Sequence, residues 1–103
     1  MKFGLRDSDL LYMQHLFARE PAIEQVWLFG SRAKGTHQPG SDVDLALVGE
    51  AIDRQLIARL RAILDEESPI PYFFDVVHWE SLRREPLKAA IQQTAQPIYQ
   101  RTV

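Results

Sequence analysis

Three aspartates stand in segments whose other residues are typical of β-strands. Asp42 and Asp44 lie two residues apart in the segment 42–48, and Asp75 lies inside the apolar segment 73–78. Side chains alternate between the two faces of a strand, so Asp42 and Asp44 are expected to point the same way. Aspartate is depleted in strands and costly to bury without a partner. If the two strands are neighbours, the three carboxylates converge.

Carboxylates held that close repel one another, and a divalent cation is the simplest remedy. Magnesium prefers carboxylate oxygens together with substrate phosphates, an arrangement required for metal-assisted phosphoryl or nucleotidyl transfer. The residues alone leave a second interpretation open. Asp42 and Asp44 would then lie on a solvated strand face, and Asp75 would be a buried aspartate hydrogen-bonded to a loop.

A turn that suits a phosphate follows the apolar segment 26–29. Gly30 allows close approach to the backbone, and a helix that starts here offers free N–H groups and a partial positive charge. The Ser31 hydroxyl can donate to a phosphate oxygen, and Arg32 and Lys34 add positive charge. For Arg32 and Lys34 the alternative is that they are solvated loop charges.

The composition excludes several classes of function. Twelve Lys and Arg stand against fourteen Asp and Glu, for a net charge of −2. A dedicated nucleic-acid binder usually carries a basic surplus, so we expect no direct binding of nucleic acid. The chain has no cysteine, which excludes disulfides, thiolate metal sites and cysteine nucleophiles.

The length of 103 residues predicts one domain that spans residues 1–103. The N-terminus lacks the apolar core of a signal peptide. No apolar segment approaches the ~20 residues that span a bilayer. We therefore expect a cytoplasmic protein with no membrane contact.

Hydrophobic periodicity and breakers predict the elements that position these residues. A first helix is expected from a cap at Asp7 or Ser8 to about Glu20, before Pro21. A second helix is expected after a cap at Asp53. The predicted strands are 26–29, 42–48 and 73–78.

A last helix is predicted to begin near Pro86 and to end at Pro97. The order α-β-β-α-β-α predicts an α/β (α+β) domain of two layers. Its sheet is expected to be small and mixed, with about three to four strands and the helices packed on one face. Six aromatic residues are expected to be mostly core, with at least one left exposed as a partner surface: Trp27, Tyr72, Phe73, Phe74, Trp79 and Tyr99.

Residues 30–35 (GSRAKG) followed by 41–47 (SDVDLAL) resemble the signature of the DNA polymerase β-like nucleotidyltransferase superfamily. The segment 74–79 (FDVVHW) resembles the third-strand segment of the same group. The short chain is similar to the minimal nucleotidyltransferases, which include the MntA-type antitoxins. The likeness covers about residues 26–80 and implies the nucleotidyltransferase fold.

By this resemblance, Gly30 and Ser31 bind the triphosphate, and Asp42 and Asp44 ligate magnesium. Asp75 would assist the metal, as a third ligand, or activate the acceptor hydroxyl. The resemblance implies ATP as the donor, two Mg²⁺ ions and transfer of AMP with loss of pyrophosphate. The expected acceptor is a tyrosine of a helical HEPN-type toxin, because MntA-type proteins modify such partners.

Larger relatives hold the acceptor on a second domain, which a chain of this length is expected to lack, so that a partner would have to present the hydroxyl. Two alternatives remain open. The chain could be a non-catalytic nucleotide-binding antitoxin that masks its partner, or it could modify a small-molecule hydroxyl such as that of an aminoglycoside. The sequence also leaves open whether the chain forms a homo-oligomer.

Overall fold

The computed structural model, which describes residues 1–102, contains a four-stranded sheet and four α-helices. The elements in chain order are α1 (Asp7–Ala18), β1 (Gln25–Phe29), α2 (Gly30–Lys34), β2 (Val43–Val48), α3 (Arg54–Ala62), β3 (Phe74–His78), α4 (Glu85–Thr94) and β4 (Gln96–Gln100). One π-helical turn, Ile63–Glu67, continues α3, and one 3₁₀ turn, Trp79–Ser81, follows β3.

The sheet is mixed, as predicted, with the strand order β3-β2-β1-β4. Strand β1 lies antiparallel to both β2 and β4, whereas β2 and β3 run parallel. The two central strands are therefore β1 and β2. They join through the α2 turn and the loop after it, which places the glycine-rich segment at one end of the sheet.

One face of the sheet packs against α1 and α3. Alternate residues of the strands point into this core, among them Leu28 and Leu45. They meet Met13 and Phe17 of α1, and α3 adds Leu60. The burial of these apolar side chains is the main source of stability for a domain of this size.

The other face is covered by α4, which differs from the expected arrangement with all helices on one face. Ile91 of α4 packs with Phe29 and Ala46, which alternate along their strands with the residues of the first core. The central strands are apolar on both faces, so both faces need a cover. The alternation of Val43, Leu45 and Leu47 showed only one of these faces.

A fourth strand, β4, follows α4 and was not predicted. Pro97 does end the helix, which stops at Thr94, but the chain then turns into β4. Proline is tolerated there because β4 is an edge strand, where a missing N–H breaks no ladder between two neighbours. Its pairing with β1 depends on a contact distant in sequence, which local pattern does not show.

Of the two predicted helix caps, the cap of α3 is confirmed, whereas the cap of α1 lies at a different residue. The Asp53 carboxylate accepts a hydrogen bond from the Leu56 N–H at 2.8 Å, as expected of a helix cap. At α1 the cap is Arg6 rather than Asp7 or Ser8, and the buried Asp9 carboxylate accepts from the Arg6 backbone N–H at 3.1 Å. The acid that stabilises the first helix therefore lies within the first turn of that helix.

The free edge of β3 is closed by side chains near and after the end of α3. Asp65 accepts a hydrogen bond from the Phe74 N–H at 3.1 Å, and Arg61 donates to the Val76 carbonyl at 2.8 Å. Edge groups that are already paired do not recruit another strand. Among residues 1–102, no helix has the length and apolar character needed to cross a membrane.

Candidate functional site

The strand register brings the predicted site residues into one row. Phe29 at the end of β1 faces Asp44 of β2, and Asp44 faces Asp75 of β3. Neighbouring strands are about 4.8 Å apart, so the backbones of all three residues lie within about two strand spacings. Gly30 follows Phe29 directly, which puts the glycine turn at the end of the same row.

Gly30 is required by two features of this row. Its φ is +75°, a left-handed conformation that glycine adopts at little cost. A Cβ added at this position would collide with the Asp44 carboxylate. The absence of a side chain therefore lets the Asp44 carboxylate lie directly against the first residue of α2.

Asp42 and Asp44 lie where the alternation predicted. Val43 between them is fully buried in the first core, so Asp44 faces the opposite side of the sheet. Asp42 precedes β2 by one residue and is exposed, and Asp75 is exposed within β3. Asp44 is the most enclosed of the three carboxylates.

The crowding of the carboxylates contributes to a raised pKa of Asp44. Burial, together with the negative charges of Asp75 and Asp42, raises the pKa of Asp44 to about 6. Arg32 opposes this shift and lowers the pKa. A bound cation would favour the ionised form of Asp44, because it would offset the repulsion from the two neighbouring carboxylates.

The carboxylates do not form a complete metal cage by themselves. Within residues 1–102, no three acidic or histidine side chains are placed to hold a metal ion between them. Magnesium is usually bound by one or two carboxylates plus substrate phosphates and waters. The donor set at Asp42 and Asp44 therefore fits a magnesium ion that arrives with a triphosphate, rather than a structural metal.

Arg32 has a structural role here, and its position does not support the predicted contact with nucleotide. The residue is 2% exposed. Its guanidinium donates to the Ser41 carbonyl from Nη2 at 2.7 Å and from Nε at 3.1 Å, and to the Phe3 carbonyl from Nη1 at 2.9 Å. It also lies over the Tyr72 ring, 4.2 Å from the centroid. The carbonyls and the ring use most of its donors and its flat face.

These contacts tie together the pieces that carry the site. Ser41 precedes Asp42, Tyr72 lies three residues before Asp75, and Arg32 itself belongs to the turn that begins at Gly30. Sequence reasoning missed this clamp. An arginine surrounded by glycine and polar residues looks solvated, and only the packing of Tyr72 and the N-terminal segment buries it.

The remaining predicted residues lie on the same turn. Ser31 is the second residue of α2 and is partly exposed, whereas Lys34 ends the helix and is exposed. Gly35 then closes α2 with a φ of +79°. Both Ser31 and Lys34 stay predictions as phosphate contacts, with positions compatible with that role.

One sizeable cavity lies away from the carboxylates. It is a groove of about 840 Å³ at the opposite ends of β2 and β3, lined in part by Arg54, Arg61, His78 and Arg83. A second hollow, of about 300 Å³, lies beside Arg32 and Tyr72. The chemistry of the carboxylate row and not cavity size therefore locates the candidate site.

The chain matches a known protein family over most of its length. The family described as "Polymerase beta, Nucleotidyltransferase" matches residues 12–102. That range includes the glycine turn and all three aspartates.

The chain is similar to a curated protein of Haemophilus influenzae, "Probable protein adenylyltransferase MntA". The two are 40% identical over 79 residues, which cover 76% of this chain and 68% of that protein. Among solved structures, a toxin-antitoxin complex with AMP-PNP shares the fold with a TM-score of 0.64 at 20% identity, over 95% of this chain and 76% of that one. The toxin-antitoxin MntA-HepT complex gives a TM-score of 0.63 at 18% identity, over 93% and 74%.

The buried clamp predicts a large effect of Arg32→Lys. Lysine keeps the charge but cannot bond both carbonyls and lie flat on Tyr72, so the free energy of unfolding should fall by about 2 to 3 kcal/mol. Urea denaturation measures this loss. The control is Arg59→Lys, because Arg59 forms an exposed ion pair with Glu20; it should change stability by less than about 1 kcal/mol. Equal effects at the two positions would contradict the clamp.

The crowded carboxylate predicts a pH-dependent effect of Asp44→Asn in the presence of a chelator. The folded state holds the Asp44 proton up to a pH of about 6, whereas the unfolded state releases it near 3.8. Between these values the wild-type chain loses stability as pH rises, and it gains none of this back above pH 6. Asparagine does not ionise.

Denaturation at pH 4 and at pH 8 should therefore show Asp44→Asn gaining stability relative to wild type as pH increases. A stability difference that stays constant across this range would show that Asp44 ionises without strain in the folded chain.

Proposed function

The chain belongs to the polymerase β nucleotidyltransferase family, and from this premise we propose that it transfers AMP from ATP to a tyrosine hydroxyl of a partner protein. The observation that carries the proposal is the row Gly30–Asp44–Asp75. It places a turn suited to phosphate against a carboxylate that is crowded by two others. This combination matches what nucleotidyl transfer needs, a triphosphate site beside an acidic site.

The phosphate side of the reaction falls to the α2 turn. The missing side chain of Gly30 lets the Asp44 carboxylate lie against the start of α2, whose first N–H groups have no helical acceptors. The Ser31 hydroxyl donates to a phosphate oxygen, and Lys34 neutralises part of the triphosphate charge from the exposed end of the turn. Arg32 holds this turn in place without contacting the nucleotide.

Asp42 and Asp44 would hold the Mg²⁺ ions that accompany ATP. Bound there, magnesium neutralises the charge that develops on the phosphate oxygens. The exposed position of Asp42 keeps the site open to an ion that enters with the nucleotide. Asp44 is half-buried, and its carboxylate lies against Gly30 at the start of the phosphate turn.

Asp75 lies on the acceptor side of the row, one strand further from Gly30 than Asp44. In the proposed reaction an acceptor oxygen bonds to the α-phosphorus, and the bond to the bridging oxygen breaks, so that pyrophosphate leaves. The proton of the hydroxyl passes to a base, for which the exposed Asp75 carboxylate is available. General-base catalysis of this kind contributes typically 10²- to 10⁴-fold.

The protein acceptor is supported by the relatives. One is named a probable protein adenylyltransferase, and solved structures with this fold are toxin-antitoxin complexes, one of them with AMP-PNP. We propose a helical HEPN-type toxin as the partner and AMP transfer as the means of its neutralisation. The positioning of the acceptor supplies much of the rate in such transfers, and here the partner would supply it.

A second candidate function is neutralisation by physical masking, with no need for transfer. Substitution of Asp42 and Asp44 separates the two functions, because masking survives the loss of these carboxylates whereas transfer does not. A third candidate, transfer to a small-molecule hydroxyl, would appear as labelling of an aminoglycoside in the absence of any partner.

The double substitution Asp42→Asn with Asp44→Asn should abolish transfer. We expect the rate of AMP transfer from α-labelled ATP and Mg²⁺ to the protein encoded by the adjacent gene to fall by at least roughly 1000-fold, because charge stabilisation by the metal is worth several kcal/mol. Labelled partner is quantified after electrophoresis.

The matched control is Glu66→Gln with Glu67→Gln, which removes two negative charges at exposed positions after α3. It should transfer at the wild-type rate. Full labelling of the partner by the Asp42→Asn, Asp44→Asn variant would refute the metal role. If this variant transfers no label but still neutralises the toxin, the result would favour masking.

A further inference from the structure

We propose that Phe73 is the contact surface for the acceptor, and that it selects an acceptor with an aromatic hydroxyl. The inference rests on the proposed function and adds the residue that recognises the partner's side chain. Phe73 is 76% exposed and is the one aromatic side chain of residues 1–102 that lies in the exposed class. A single exposed apolar residue is ordinary on a protein surface, so its position has to carry the inference.

The direction of the Phe73 side chain follows from its neighbours. Tyr72 and Phe74 both pack against the core beneath α1 and α3. Because β3 begins at Phe74, whose side chain faces the core, alternation places Phe73 before it and Asp75 after it on the opposite face, which is also the face of Asp44. The Val43 N–H donates to the Phe73 carbonyl at 2.9 Å, so the ladder between β2 and β3 continues to this residue.

The Phe73 backbone is held from both sides. On one side, Tyr72 lies under the buried Arg32 guanidinium. On the other, the Phe74 N–H is bonded to the Asp65 carboxylate at 3.1 Å. The ring is thus presented to solvent by an anchored backbone, and a partner that packs on it need not order a loose loop.

The place of Phe73 in the sheet assigns it to the acceptor rather than to the nucleotide phosphates. The phosphate turn begins at Gly30 at the end of β1, and Phe73 leads into β3, two strand spacings away, or about 10 Å. Asp42 and Asp44 lie between them. A group on the Phe73 side therefore approaches the carboxylates from the direction opposite the triphosphate.

The distance along the strand indicates the kind of acceptor. Phe73 and Asp75 are two residues apart on one face, which corresponds to about 7 Å. A tyrosine ring that packs on Phe73 has the reach to bring its hydroxyl to the Asp75 carboxylate, whereas a serine side chain does not. Aromatic rings also gain from edge-to-face or offset packing beyond the area they bury.

Phe73→Ala tests the proposal without disturbing the core. The expected result is a fall of about tenfold or more in kcat/KM for AMP transfer to the protein encoded by the adjacent gene, the usual scale for an aromatic anchor at an interface. Phe73→Tyr should keep most of the activity. The control is Leu11→Ala, which removes another exposed apolar side chain, from α1, away from the carboxylate face.

Two further measurements distinguish a contact with the acceptor from a contact with the nucleotide. The affinity for a non-hydrolysable ATP analogue and the slow hydrolysis of ATP to AMP, with water as acceptor, should both stay unchanged in Phe73→Ala. A loss in either would show that Phe73 contacts the nucleotide, and equal transfer by Phe73→Ala and Leu11→Ala would show that it contacts nothing in the reaction. Either result overturns the proposal.

A failure of the proposed AMP transfer is distinguishable from a failure of the Phe73 contact. If the wild-type chain labels no partner, transfer is refuted, and calorimetry with the same partner protein and ATP analogue then tests the contact alone. Weaker binding by Phe73→Ala than by Leu11→Ala would keep Phe73 as a docking residue. Equal binding would remove that role as well.

Discussion

The buried guanidinium of Arg32 is the interaction on which the site depends. It bonds the carbonyls of Ser41 and Phe3 and lies over the Tyr72 ring. Through these contacts it fixes three segments that are distant in sequence: the N-terminal segment, the loop that leads to Asp42, and the segment that leads to Asp75. Backbone carbonyls and an aromatic face are partners that leave the Arg32 charge uncancelled. That charge therefore still acts on Asp44, where it partly offsets the repulsion from the other carboxylates.

Arg32 cancels only part of the repulsion on Asp44, which is consistent with a site that a charged ligand completes. A domain selected for stability alone would not place Asp44 beside Asp42 and Asp75 with a pKa raised to about 6. Strain of this kind is common where a cation and a charged substrate complete the arrangement. The exposed Asp42 and Asp75 and the open glycine turn leave space for both. The same crowding of charge therefore causes both the instability of the row and its affinity for a cation.

Much of the site could be predicted because it depends on local rules. Alternation along a strand was enough to place Asp42 and Asp44 on one face, and the need for a glycine at the end of a strand marked Gly30. The burial of Arg32 could not be predicted in this way, since it depends on Tyr72 and Phe3, 40 and 29 residues away. Strand β4 and the second apolar face under α4 were missed for the same reason, because long-range pairing creates them. Which aromatic residue stays exposed was equally a matter of packing, and the structure answers it with Phe73.

In the proposed function, the carboxylate row and the glycine turn together hold a metal–triphosphate. A crystal structure of the chain with Mn²⁺ in place of Mg²⁺ and a non-hydrolysable ATP analogue tests it most directly, because anomalous scattering locates manganese without bias. We expect a manganese peak in contact with the carboxylates of Asp42 and Asp44, with the triphosphate against Gly30 and Ser31 and the Phe73 face left free. Manganese and triphosphate bound elsewhere, for example in the groove beside Arg54 and Arg83, would contradict it.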